Sequence, residues 1–458
     1  MRGMTGLACV LLAGVAGAAA IQSQSGPLAY GPTAYEGAKL IAGDGSAPID
    51  NGTFVVERGR ITGIGTASSV LVPANAARVN LRGKTVIPAL VNVHAHVGYE
   101  RFTKAGGEAR AESFTPANLL NHLQRQAYYG VGTVMDAGSA AIDIANDFLD
   151  DQEARKFPAA ARLALMAGIV PPGGGPDHIL IEGTRPLRAN FEVTRAPEAR
   201  AAVQLSAARG VRHIKIWLGD RNGTYPPMPR EIYTAVIDEA HKVGIKVHAH
   251  ALSMRDQKDA LRAGADVIVH SLGTPFDDEL IGLVKEKKPY WAPVMGLFDR
   301  SAVCENDPFF TQVLSTALIA QIQKENCAVN PKFAAIEEMR RTNFMHMIRN
   351  GARLVLGTDV GVFPRYSFGS ADHHELSMYV RLGMSPGDAL VAATSRAAEL
   401  IGIPEVGALA VGKQADFLVL DADPLENITN TRKLSAVYLR GALLDRGALL
   451  VAIKAPGP

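Results

Sequence analysis

Val86-Ile87-Pro88-Ala89-Leu90-Val91-Asn92-Val93-His94-Ala95-His96 is an apolar run, rich in valine, that ends in two histidines one residue apart. Its composition predicts a buried strand. Side chains two apart on a strand share a face, so His94 and His96 project together from its end. Two neutral imidazoles side by side suit Zn or a similar divalent ion. Taken alone, His-x-His also describes two ordinary polar residues at a strand end. What recurs downstream decides between the two.

After this run, strand-like and helix-like segments alternate. Gly132 to Asp136, Arg162 to Ala167, His213 to Trp217, Ile245 to His250, Asp266 to His270, Pro289 to Val294 and Arg353 to Thr358 read as strands. Asn118 to Tyr129, Pro197 to Arg209, Arg230 to Val243, Arg255 to Ala263 and most of Phe309 to Asn350 read as helices. Counting from Val86 gives eight strands. The alternation implies a parallel sheet, and eight repeats imply a (β/α)8 TIM barrel. No Gly-x-Gly-x-x-Gly follows the first strand to favour an open doubly wound sheet.

Short strands and turns flank the barrel at Ala34 to Arg82 and again from Val406. Each flank is too small for a good core, so the two are expected to pair into one composite β-sandwich. The division reads as a signal peptide at 1–20, the N-terminal β part at 21–85, the barrel at 86–400 and the C-terminal β part at 401–458. The signal reading rests on Gly6 to Ala20, an unbroken apolar and small-residue run closing on Ala18-Ala19-Ala20. It is short of the ~20 residues a bilayer needs, and no second candidate span follows. A periplasmic or secreted location is the consequence. Removal of the leader would leave Cys304 and Cys327, which read equally as a disulfide or as two buried thiols.

The chain has 458 residues, 47% hydrophobic and 20% charged, with a net charge of +2. That balance argues against a nucleic-acid partner. The unusual polar residues fall at strand ends: His94 and His96 on the first, Lys215 on the fourth, His248 on the fifth, His270 on the sixth and Asp359 on the eighth. In a (β/α)8 barrel these ends converge on one mouth. Four imidazoles, a carboxylate and a lysine there point to a binuclear metal site, and Asp359 could pass a proton from metal-activated water to a leaving group.

Val93-His94-Ala95-His96, His213-Ile214-Lys215-Ile216, Val247-His248-Ala249-His250, Val269-His270-Ser271, Leu356-Gly357-Thr358-Asp359 and Gly412-Lys413-Gln414-Ala415-Asp416 occur in this order. The sequence thereby resembles the amidohydrolase superfamily, metal-dependent hydrolases with a urease-like composite β domain, and within it the imidazolonepropionase-like and prolidase-like members. The resemblance implies two divalent ions, zinc first among candidates. His94, His96 and Asp359 would hold one, and His248 and His270 the other. Lys215, carboxylated on its amine, would bridge them, and a hydroxide between them would be the nucleophile. His250 would then lie beside the substrate. The span from His248 to His270 is longer than usual in the family, which leaves the choice between His248 and His250 open. His178, after Gly173-Gly174-Gly175-Pro176-Asp177, would also contact substrate, as in peptidase-like members; a surface loop is the plain alternative.

The resemblance implies an exported amidohydrolase that cleaves dipeptides or N-acyl amino acids. Lactones, cyclic amides or phosphotriesters are the alternative substrates at the same site, and a non-catalytic scaffold is the remote one. The substrate is a small molecule, chosen by the loops Gly98 to Ser113, Ala167 to Asn190, Gly219 to Pro229 and Phe363 to His374. Arg101, Arg185, Arg221 and Arg365 in them are candidates for a substrate carboxylate. His373 and His374 read as surface residues or supports to the site, and His122, His213, His241 and His346 carry no assigned role. Oligomeric state stays open.

Overall fold

The run from Val86 to His96 divides between two sheets in the computed structural model. Thr85–Pro88 is one strand and Leu90–Ala95 another. The break falls where Pro88 has no N–H to donate. Beyond it, Ala89 donates to the Asp416 carbonyl at 2.9 Å and Leu90 to the Gly130 carbonyl at 3.0 Å. The first half pairs antiparallel with Phe417–Leu420. The second pairs in parallel with Val131–Asp136. The structure describes residues 31–103, 106–175, 189–220, 223, 226–299, 304, 306–327, 332–361 and 367–454. The leader reading at 1–20 lies outside the described residues, as do His178, Arg185, Arg221, Arg365 and the side chain of Arg101.

Leu90–Ala95 opens a parallel (β/α)8 barrel. Val131–Asp136 follows, then Arg162–Leu165 with Ala167–Val170, His213–Trp217, Lys246–His250, Val267–Val269, Tyr290–Ala292 and Arg353–Leu354. The third strand is interrupted at Met166: its first half pairs with the second strand and its second half with the fourth. The barrel closes where Val93 donates to the Leu356 carbonyl at 2.9 Å and Ala95 bridges Val360 in parallel. Most barrel strands are buried on both faces, as helices packed outside a parallel sheet require. Val91, Val93, Met135, Met166, Val267, Val269 and Val355 form an apolar cluster from its strands.

The connecting helices begin where the sequence supplies caps. Thr115 accepts from the Asn118 N–H ahead of Pro116–Tyr128, and Ser253 and Asp277 do the same for Met254–Ala263 and Asp278–Lys287. Helices at Ile142–Glu153 and Asp278–Lys287 add to those read from the sequence. Among the described residues no helix is long and apolar enough to cross a membrane.

The flanking segments form one composite sheet of eight strands. Thr33–Leu40, Ile49–Glu57, Arg60–Thr66, Ala77–Asn80 and Thr85–Pro88 come from the N-terminal side, and Phe417–Leu420, Leu434–Leu439 and Ala442–Leu443 from the C-terminal side. The sheet folds over a cluster in which Tyr35 stacks on Phe54 at 4.8 Å and Phe417 on Tyr438 at 4.3 Å. Edge contacts of 5.1 and 5.0 Å from Phe417 to Tyr35 and Phe54 join the two pairs. Neither flank holds the whole cluster, which is why they fold together.

Candidate metal centre

Three side chains meet at the mouth where the first and eighth strands end. Asp359 Oδ1 lies 3.1 Å from His94 Nε2 and 3.1 Å from His96 Nε2. Ligand atoms of the three all fall within 4.8 Å of one another. Backbone bonds fix this approach: Thr358 and Asp359 both donate to the His94 carbonyl, at 3.0 and 2.9 Å, and His96 donates to the Val360 carbonyl at 2.8 Å. Asp359 has φ of 56°, a left-handed conformation costly for a residue with a Cβ. His270, at the end of the sixth strand, has φ of 77°. The chain bends back at both positions, where the sequence reading placed chemistry.

The other faces of the two imidazoles are held. His96 Nδ1 lies 2.7 Å from the Ser139 hydroxyl. Ser139 is itself fixed by Asp136, whose Oδ1 accepts from the Ser139 and Ala140 N–H groups at 2.8 Å each. His94 Nδ1 lies 3.4 Å from Lys215 Nζ, and the Lys215 side chain is buried. Burial, and then the nearby Lys215, hold His94 well below the usual histidine range, so it is a neutral donor. Burial alone would raise the Asp359 carboxyl. Hydrogen bonds from His94 and His96 outweigh it and hold Asp359 well below the usual carboxylate range.

The fifth strand resolves differently from the ligand choice implied by the resemblance. Its register sets His248 opposite Lys215 and His250 opposite Trp217, one pleat nearer the mouth. His248 Nε2 lies 3.0 Å from His213 Nδ1, and His213 Nε2 lies 3.1 Å from the Ile401 carbonyl. His250 Nδ1 instead lies 2.8 Å from His270 Nε2. The His270 ring is in turn 5.8 Å from that of His94. The structure therefore groups His250, rather than His248, with His270 and His94. The cause is the pleat: residues two apart share a face but not a level.

The donor chemistry fits divalent cations. Buried neutral imidazoles with one ionised carboxylate are a set for Zn or a related ion. His94, His96 and Asp359 could hold one ion, and His250 and His270 could hold another beside Lys215. Neighbouring polar groups support these residues. Asn92, two residues before His94, donates to the Thr358 hydroxyl at 2.9 Å and to Asp372 Oδ1 at 2.8 Å, and its Oδ1 accepts from the His94 N–H at 2.8 Å. Asn92, Asp136, Ser139 and Asp372 were not among the sequence candidates. Asn92 and Asp136 carry a legible signal, since each is a polar residue inside a barrel strand.

His122, His373 and His374 lie buried within the fold rather than on its surface. His373 bridges the Thr431 hydroxyl at 3.0 Å and the Tyr129 carbonyl at 2.8 Å. His122 accepts from the Gly98 N–H at 2.8 Å and so pins the chain just beyond the first barrel strand.

Comparison with known proteins bears on the family and the fold. The sequence model of the amidohydrolase family matches residues 85–444. Ochratoxinase from Aspergillus niger is 24% identical over 436 residues, spanning 89% of this chain and 85% of its own. The fold is similar to that of a Xaa-Pro dipeptidase with methionine bound in its active site, at a TM-score of 0.71 and 24% identity over 90% of this chain and 99% of that one. It is also similar to molinate hydrolase, at a TM-score of 0.71 and 22% identity over 91% and 95% of the two chains.

Proposed function

Because the chain belongs to the amidohydrolase family, we propose that it is an exported, metal-dependent hydrolase that cleaves the amide bond of dipeptides or N-acyl amino acids. Family membership makes it a hydrolase of C–N bonds. The observation that carries the finer reading is the Asp359 carboxylate, shared at 3.1 Å between His94 and His96, with Lys215 3.4 Å behind His94. The Xaa-Pro dipeptidase among the fold relatives favours dipeptides.

His94, His96 and Asp359 would hold one divalent ion, and His250 and His270 a second. Zinc suits these donors. Lys215 would lie between the ions, carboxylated on its amine. A buried ammonium would repel both cations, whereas a carbamate is anionic and bidentate. When bound, such a pair supplies a water ionised near neutral pH and a Lewis acid for the carbonyl oxygen. Asp359 takes the proton of the attacking water as the C–O bond forms. It then delivers that proton to the nitrogen as the C–N bond breaks, leaving a free amine and a carboxylate. Ser139 holds His96 in one ring orientation throughout. Export is supported by the disulfide between Cys304 and Cys327, whose Cα atoms are 5.6 Å apart.

The test is a hydrolysis screen of the zinc-loaded protein against dipeptides and N-acyl amino acids, read by mass. Asp359→Asn is expected to reduce turnover by about a thousandfold or more, since it removes the group that moves the proton. Absence of turnover in wild-type protein shown to carry its metals would overturn the peptidase-like reading.

A further inference from the structure

The barrel has a second concavity, at the end opposite His94 and Asp359. It has a volume of 520 Å³, within the range of small-molecule sites. Strand N-termini form its base: Arg162 opens the third strand, and Arg209 to His213 lead into the fourth. The end of the helix Ile142–Glu153 and the turns at Arg58-Gly59-Arg60 and Arg440 of the small sheet form its sides.

Seven arginines line this cavity against one carboxylate, Glu153. The chain as a whole carries a net charge of only +2, so the excess is local. Several arginines elsewhere pair with carboxylates: Arg195 with Glu198, Arg353 with Glu399, Arg381 with Asp299 and Glu337. Here the guanidiniums bond to neutral oxygens. Arg60 donates to the Gly412 carbonyl at 2.9 Å, Arg162 to Gln414 Oε1 at 2.8 Å and Arg440 to the Ala160 carbonyl at 3.0 Å. Among the described residues none of the seven forms an ion pair. Arg162 Nε is buried and has no hydrogen-bond partner. Buried donors without partners are rare, and this one lies on the wall of an arginine-lined cavity. The same walls carry Met135, Leu149, Phe157, Val211 and Ile403, which suit an apolar body. A second copy of the chain seated here by two-fold symmetry would bring like charge against like charge.

We propose that this cavity is a binding site for a small organic polyanion, with phosphate or carboxylate groups on an apolar body. Guanidinium forks recognise both groups through paired, charge-assisted hydrogen bonds. The site is separate from the metal centre and does not depend on the substrate proposed for it.

Calorimetric titration of the metal-loaded protein with AMP, citrate and inorganic phosphate, and with adenosine as the uncharged control, tests it. AMP or citrate is expected to bind one per chain and to weaken as salt is raised. AMP alone would identify a phosphate ester, and citrate alone a polycarboxylate. Arg162→Gln with Arg212→Gln should weaken that binding at least tenfold, while Arg195→Gln leaves it unchanged. Hydrogen exchange on the wild-type protein gives an answer even where the double variant fails to fold. Slowed exchange at 155–165 and 209–213 on adding the ligand would support the site. Slowing confined to 93–97 and 356–361 would place the anion on the metals and overturn it. So would saturable binding by none of the anions, by phosphate alone, or by adenosine as tightly as AMP.

Discussion

His248 and His250 are chemically identical and share one face of one strand, yet one pleat decides which of them can share an ion with His270. The ring nitrogens of His250 and His270 stand 2.8 Å apart, whereas His248 is turned to His213 at 3.0 Å. His250→Asn is therefore expected to lower bound zinc from about two ions per chain to about one. His248→Asn should keep the metal and lose stability instead, about 1–3 kcal/mol, because His213 loses a buried partner. Elemental analysis of dialysed variants separates the two, and metal loss in His248→Asn alone would restore His248 as the ligand. Asp372 makes a second prediction at this scale. Burial pushes its carboxyl up to about 8 from an ordinary value of 3.8. The folded protein thus keeps a proton that the unfolded chain releases between those values. The stability this contributes is full below the unfolded value and is lost as pH rises toward the folded one. Asp372→Asn keeps an acceptor for Asn92 and removes the titration. Urea unfolding should show the wild type losing more stability than the variant between about pH 5 and pH 8. Parallel pH profiles would mean that Asp372 is ionised in the fold.

Elements were legible in the sequence where a period announced them. The barrel strands are short apolar runs between caps and glycines, and their alternation with helices of the ordinary period left one architecture. Two features were not legible. The Val86 to His96 run breaks after Pro88, but which sheet each half joins is set by the partner strands, one from each domain. The ladder of the eighth strand spans only Arg353–Leu354: Leu356 gives its N–H to the Ala392 carbonyl, and the chain beyond turns left-handed at Asp359 to reach His94. That turn depends on Gly361, which has φ of 101° and where an added Cβ would lie 1.9 Å from the His96 carbonyl oxygen. Gly138 plays the same part beneath Lys215, where a Cβ would lie 2.6 Å from the Lys215 Cβ. Gly361→Ala is expected to cost about 1–3 kcal/mol in backbone strain and to displace His96 from Asp359. A lowered melting midpoint together with loss of one metal would be the signature. A fully metallated, fully active variant would show that the turn tolerates a side chain.

Across the whole molecule, the segment between the seventh and eighth strands ties the barrel to the composite sheet. Arg432, just before the strand Leu434–Leu439, reaches Asp307 at 3.4 Å and lies over the Phe310 ring at 4.7 Å. Cys304 and Cys327 close this segment with a bond spanning 23 residues in sequence. From the sequence the two thiols were equally two buried cysteines, since pairing depends on how the helices Pro308–Thr311 and Thr316–Asn326 fold back. A loop of that length removes enough unfolded-state entropy to be worth about 3 kcal/mol. The double variant Cys304→Ser with Cys327→Ser should lose about that much stability under oxidising conditions and retain its metals, because neither cysteine is among the proposed ligands. Thiol titration of the unfolded wild-type protein, without reductant, connects this bond to the proposed export. Protein recovered from an oxidising compartment should show no free thiol at either position, and the reduced protein both. If wild type and double variant unfold at the same denaturant concentration, the bond adds nothing to the fold and leaves the export proposal resting on the leader alone.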